Sequence, residues 1–239
     1  MGGYSGEIKI LHLTEGAKNA QGLAVIIDVF RAFSLECYLY DMGVKEIRPV
    51  GSIEDAFDMS YGIENSVLIG ERDGKKCEGF HFGNSPSTVV LEEVKGKTVI
   101  HTTSNGTQGI INASGADEII TGSLVNAKAI AEYIKQRNPR KVSLVSMGNR
   151  GKSPAPEDDL CAEYIRCLLT LQPMPDFDKR VKNLQFDGGQ YFFDEKQSHI
   201  FPRNDFYLCT EYDKFDFVIR INKDETGYIT EKININSKT

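Results

Sequence analysis

No tryptophan, internal repeat, linker-like Pro/Gly/Ser tract or long apolar run occurs in the 239 residues. With 40% hydrophobic and 26% charged residues, these absences leave an ordinary globular composition, and the length suffices for one domain with a sizeable core. The longest apolar stretch, 23–30, is broken by Asp28. It falls well short of the roughly 20 residues that cross a bilayer. The first ten residues also lack the basic and apolar regions of a signal peptide. Basic excess is missing too. A net charge of −6 argues against a general grip on nucleic acid or acidic membrane, which needs clustered positive surface. The five cysteines, Cys37, Cys77, Cys161, Cys167 and Cys209, show neither C-x-x-C spacing nor a Cys/His cluster, as expected of reduced, packed thiols in a cytoplasmic protein. The expected partner is a small molecule.

Several familiar motifs are absent as well. No G-x-G-x-x-G follows a strand-like run, and the four histidines have neither H-E-x-x-H nor paired spacing, which removes the usual dinucleotide and zinc patterns. "GNRGKS" approaches a P-loop, but the required first glycine is Ser146, and Pro154 and Pro156 would break the helix that should follow.

What is present is a rhythm. Strand-like runs at 7–13, 24–28, 46–50, 66–70, 98–101, 118–121 and 141–146 alternate with helix-like spacing at 32–41, 53–61, 86–94, 107–112, 125–136 and 156–170. Ser85-Pro86 reads as an N-cap followed by proline at the first helical position. Such alternation predicts an α/β fold, a three-layer α/β/α arrangement on a mostly parallel mixed sheet. After about Leu171 the rhythm changes, and strands are expected at 206–209, 215–222 and 228–232 as a strand-rich C-terminal extension. The whole chain reads as one domain, with 172–239 a C-terminal subdomain.

Small polar, glycine and charged residues cluster immediately after the predicted strands, and open parallel sheets bind ligands beyond their carboxyl ends. "AVIIDVFRAFS" ends its strand at Asp28 and opens a helix with Arg31, with Ser34 one turn on. "VLIGERDGKKCEGFHFGNSP" supplies Glu71, Arg72, Asn84 and Ser85. "VIHTTSNGTQG" supplies Thr103, Ser104, Asn105, Gly106 and Thr107, with His101 beside them as a candidate acid or base. The fourth segment, "VSLVSMGNRGKSPAPEDDLCAEYI", carries Glu157, Asp158 and Asp159. Each cluster also has a structural reading. Asn105-Gly106 suits a two-residue hairpin turn as well as an anion cradle. Acids in a first helical turn complement the helix dipole, and Asp28 could be an N-cap. Carboxylates and an anion cradle on one rim would repel a phosphate unless a divalent cation neutralised them, which favours an enzyme over a passive anion binder.

In the segments "IDVFRAFS", "GERDGKKCEGFHFGNSP", "TTSNGT" and "EDDLCAEYI", spanning about 25–165, the chain resembles the 2-phosphosulfolactate phosphatase family. Their order and joint occurrence carry the resemblance. Phe33 and Ser104 stand where a smaller residue and a threonine are usual, and "GKSPAP" before Glu157 is atypical. The resemblance implies Mg²⁺-dependent hydrolysis of 2-phospho-3-sulfolactate to 3-sulfolactate and phosphate, a step of coenzyme M biosynthesis. In this reading Asp28, Glu71, Glu157 and Asp158 hold Mg²⁺, and Asp28, Arg31 and Glu71 act in the chemistry. Arg31, Ser34, Arg72, Asn84, Ser85 and 103–107 bind the anionic substrate, supported by charge from Lys75, Lys76, Arg150 and Lys152. Direct attack by water is expected, because Phe30 occupies the place of the second aspartate in aspartyl-phosphate enzymes of the haloacid dehalogenase type. The rival readings are a phosphatase of another small phosphorylated acid and a non-catalytic binder of such a metabolite. A homo-oligomer is compatible with all three.

Overall fold

The computed structural model describes residues 2–235. Its first sheet contains β1 (Glu7–His12), β2 (Leu23–Ile27), β7 (Glu118–Gly122), β8 (Lys141–Ser146), β9 (Phe217–Asp224) and β10 (Gly227–Asn234), in the order β1-β8-β2-β7-β9-β10. The second contains β3 (Glu46–Pro49), β4 (Val67–Arg72), β5 (Lys75–Lys76) and β6 (Thr98–Thr102), in the order β3-β6-β4-β5. Pairing is parallel except where β9, β10 and β5 join. The fold is therefore three-layer α/β/α, with its mostly parallel strands divided between two sheets.

Helix α2 (Ala32–Asp41) explains the division. Its residues 32–40 are all buried. Leu35 and Leu39 pack with Ile47, Ile69 and Val99 of the second sheet, while Ala32 and Phe33 join Ala24 and Ile26 of the first. A helix apolar on all sides needs cover on all sides, which one sheet cannot provide.

The β9–β10 hairpin ties the two sheets together. It extends the first sheet beside β7, and the Thr230 hydroxyl accepts from the Ile47 backbone N–H at 3.1 Å and lies 3.0 Å from the Ile47 carbonyl on β3. Arg48 grips the Asp224 carboxylate with both terminal nitrogens, at 3.2 and 2.9 Å.

Three expectations about elements need correction. The helix expected at 86–94 shrinks to α4 (Leu91–Val94), because the Ser85 hydroxyl bonds Asp205 rather than capping a helix. The strand expected at 206–209 is helix α9 (Arg203–Thr210), whose buried Asp205, Phe206 and Cys209 follow helical spacing; short apolar runs are ambiguous between the two periods. Helix α6 (Ala127–Arg137) starts after a 3₁₀ turn at Leu124–Asn126 rather than at 125. The pattern gave no sign of α1 (Leu13–Lys18) or α8 (Phe177–Asn183). Helices α3 (Ile53–Gly62), α5 (Gly106–Asn112) and α7 (Pro156–Thr170) match the expected positions. All five cysteines are free thiols, and no helix among the described residues is long and apolar enough to cross a membrane.

Candidate active site

The carboxyl ends of strands from both sheets face one cleft of about 450 Å³. From the first sheet come Asp28 after β2 and the 149–153 turn after β8; from the second come Glu71 on β4 and residues 104 and 105 after β6. Tyr191 and Phe201 close the far wall.

Asp28 is buried, and its carboxylate accepts backbone N–H groups of Ala32 and Gly106. Loop and acid approach closely at this point. A Cβ on Gly106 would stand 3.2 Å from Asp28 Oδ2 and 2.8 Å from Phe33 Cζ, so glycine is what lets β6 deliver the loop there. Burial, followed by the charge of Glu71, pushes the Asp28 carboxyl up to about 7. Glu157, at the start of α7, is likewise pushed up to about 7 by burial and then by Asp28 and Asp159. Its Oε2 is buried with no hydrogen-bond partner among the described residues, as is Asn105 Oδ1. Asp158 is different. Its two oxygens accept the backbone N–H of Val29 at 2.8 Å and of Gly148 at 2.9 Å, a strut between the loops that follow β2 and β8. Burial holds its carboxyl well above the ordinary range.

Asn105-Gly106 does not turn a hairpin; it leads from β6 into α5. Thr103 and Thr107 stabilise that entry reciprocally, each hydroxyl accepting the other's backbone N–H at 3.1–3.2 Å. Glu71 clamps the same loop: Oε1 accepts Ser104 N–H at 2.7 Å, and Oε2 accepts Gly74 N–H at 2.7 Å. Arg72 donates to the Thr102 hydroxyl at 3.0 Å.

Arg31 lines the cleft but is heavily tethered. It donates to Asp205 and to the Ile200 carbonyl, both at 2.9 Å, and to the Gly74 carbonyl at 3.0 Å, with Phe201 stacked 4.9 Å from its guanidinium carbon. Asp205 also accepts from Ser85, which thereby braces Arg31 from behind. Ser34 lies outside the cleft, hydrogen-bonded inside the core to the Val29 carbonyl and Ser123. Sequence reasoning missed Asp205, Tyr191, Phe201 and Asn149. The one available signal was an acid on an apolar helix face, with Phe206 and Cys209 beside it, in the aromatic 190–206 stretch.

Among the described residues, no three His, Cys, Asp or Glu side chains form a ready-made metal cage. Mg²⁺ commonly takes one or two carboxylates and completes its shell with water and substrate phosphate. The unpartnered Glu157 Oε2, and Asp28, which lines the cleft and whose charge acts on Glu157, fit that smaller donor set, while Asp158 and Glu71 hold loops in place through their backbone N–H partners.

An acid-lined cleft with amide and guanidinium donors, at the carboxyl ends of parallel strands, is the architecture of an enzyme acting on small anions. The model of the 2-phosphosulpholactate phosphatase family matches residues 9–224, and the chain belongs to that family of phosphoric monoester hydrolases. It is 34% identical over 212 residues to a probable 2-phosphosulfolactate phosphatase of Caldanaerobacter subterraneus subsp. tengcongensis, covering 82% of this chain and 86% of the relative. A probable 2-phosphosulfolactate phosphatase of Clostridium perfringens shares 30% over 227 residues, 89% and 91% of the two chains. Another from Caldicellulosiruptor saccharolyticus shares 41% over 157 residues, 64% of each.

Proposed function

We propose that the protein hydrolyses 2-phospho-3-sulfolactate to 3-sulfolactate and inorganic phosphate, with Mg²⁺ as cofactor, in the cytoplasm and as a step of coenzyme M biosynthesis. The family supports the reaction. The observation that carries the site reading is the meeting of the raised Asp28 carboxyl, whose charge also acts on Glu157 and its unpartnered Oε2, with cleft-lining donors on Asn84, Arg31 and Arg150.

Asp28 and Glu157 would hold Mg²⁺, and Asn105 Oδ1, buried without a partner, is a further oxygen near them. When bound, the cation offsets charge on the non-bridging phosphate oxygens and brings phosphate to a rim that would otherwise repel it. Arg31 cannot swing, so its remaining N–H groups meet the phosphoryl group in a fixed orientation, which lowers the reorganisation needed as charge moves in the transition state. Arg150, which pairs with Asp73 at 2.6 Å, and Lys152 line the cleft and would take the sulfonate and carboxylate. Water attacks phosphorus in line with the departing ester oxygen.

The test is a phosphate-release screen of small phosphorylated acids, including phosphosulfolactate, with and without Mg²⁺. Release only with the cation is the expected result. Tight uptake in chelator with no release would replace the enzyme by a metabolite binder.

A further inference from the structure

Helix α2 carries one charge in its buried span, Glu36, which has no solvent exposure. Its Oε1 lies 2.9 Å from Nδ1 of His101 on β6, itself fully buried, and His101 Nε2 lies 3.1 Å from Asn84 Oδ1. Asn84 lines the cleft, and its amide makes no other hydrogen bond among the described residues. Glu36 Oε2 has no partner among the described residues. An interior oxygen left unpaired costs free energy that an apolar side chain would avoid, so its presence needs a reason.

We propose that Glu36 and His101 are positioning residues that lock the Asn84 amide with its Nδ2 amino group turned into the cleft, as a donor to the anionic group of the substrate. Asn84 Oδ1 can only accept, so the His101 Nε2 facing it donates, and the Glu36 carboxyl at Nδ1 holds the ring in that orientation. The Nε2–H pins Asn84 Oδ1 inward, which leaves Nδ2 as the end facing the ligand. An unpinned asparagine could present its oxygen and repel the same anion. With both nitrogens engaged and no exposure, His101 is not available as the acid or base that its sequence position suggested.

This inference rests on the cleft's accepting a phosphorylated anion, and the test separates the two. Inorganic phosphate is titrated calorimetrically, in Mg²⁺, into the wild type, Asn84→Ala, Glu36→Gln and the double variant, with KM and kcat for phosphosulfolactate measured alongside. Loss of one hydrogen bond to a charged ligand predicts roughly tenfold weaker phosphate binding and a higher KM for Asn84→Ala, with kcat changed less. Glu36→Gln should weaken binding severalfold in the wild-type background and add nothing in Asn84→Ala, because it acts through that amide. Effects that multiply in the double variant would overturn the relay and leave the anion site standing; a wild type that takes up no phosphate would overturn both. Should Glu36→Gln unfold the chain, ¹⁵N NMR of the wild type decides. A protonated Nε2 on His101 is expected, and a ring whose Nε2 carries no proton refutes the proposal.

Discussion

The two sheets furnish opposite sides of one cleft, and their acids are not equivalent. On the first-sheet side, Asp28 and Glu157 are pushed up to about 7 by burial, and Glu157 keeps an oxygen with no partner. On the second-sheet side, Glu71 accepts two backbone N–H groups and serves as a clamp on the 104–107 loop. Asp158, adjacent to Glu157 in sequence, is likewise engaged by two backbone N–H groups. Proximity to the cleft therefore does not sort these carboxylates. Glu157 stands apart because its Oε2 has no partner among the described residues and keeps its full capacity for a cation, and Asp28 is the cleft-lining acid whose charge acts on it.

The sharpest way to break this contrast is Asp28→Asn. It is expected to lower Mg²⁺-dependent phosphate release by roughly 10³-fold while the chain stays folded by circular dichroism; turnover near wild type would end the assignment. Asp158→Ala should act on stability instead. Leaving two buried N–H donors unpaired costs about 2–4 kcal/mol, read as a Tm fall of about 5–15 °C in thermal unfolding without cation. Glu71→Gln keeps one acceptor but turns an amino group toward a backbone N–H, so the loop should loosen and KM rise about tenfold with a smaller change in kcat. A pH series sharpens the contrast further. Because the folded-state values of Asp28 and Glu157 lie above those of an unfolded chain, their protons stabilise the fold at acidic pH, and that contribution is lost as pH rises through about 7. The Tm of metal-free protein should therefore fall between about pH 4 and pH 7 and level off above, and Asp28→Asn should flatten the slope. The smallest effect belongs to Ser34→Ala: within about 1 kcal/mol in stability, with KM unchanged, since the hydroxyl bonds only core groups.

The parts of this arrangement that strands deliver were readable in advance. Parallel strands with helical crossovers bring their carboxyl ends to one side, so the segments after 28, 70, 101 and 146 had to share a rim. Their roles were not readable, because hydrogen-bond partners such as Val29 and Gly148 for Asp158 belong to the tertiary fold. The division into two sheets was hidden for a related reason: α2 and the strands around it are apolar on every face, and such runs do not say which neighbours cover them. Asp205 and Phe201 were missed because they reach Arg31 from the aromatic C-terminal stretch, outside the strand–helix rhythm. Ser85 misled for the same reason, since its cap-like hydroxyl bonds that distant aspartate.

The Thr230 hydroxyl that fastens β10 to β3 reaches a residue 183 positions earlier. Contacts so distant along the chain close slowly, because a long loop loses its freedom before the contact forms. On a translating ribosome the second sheet must therefore wait for the hairpin to emerge before its edge is covered. Over that interval the nascent chain exposes the β3 edge, an unpaired strand edge of the kind that invites aggregation.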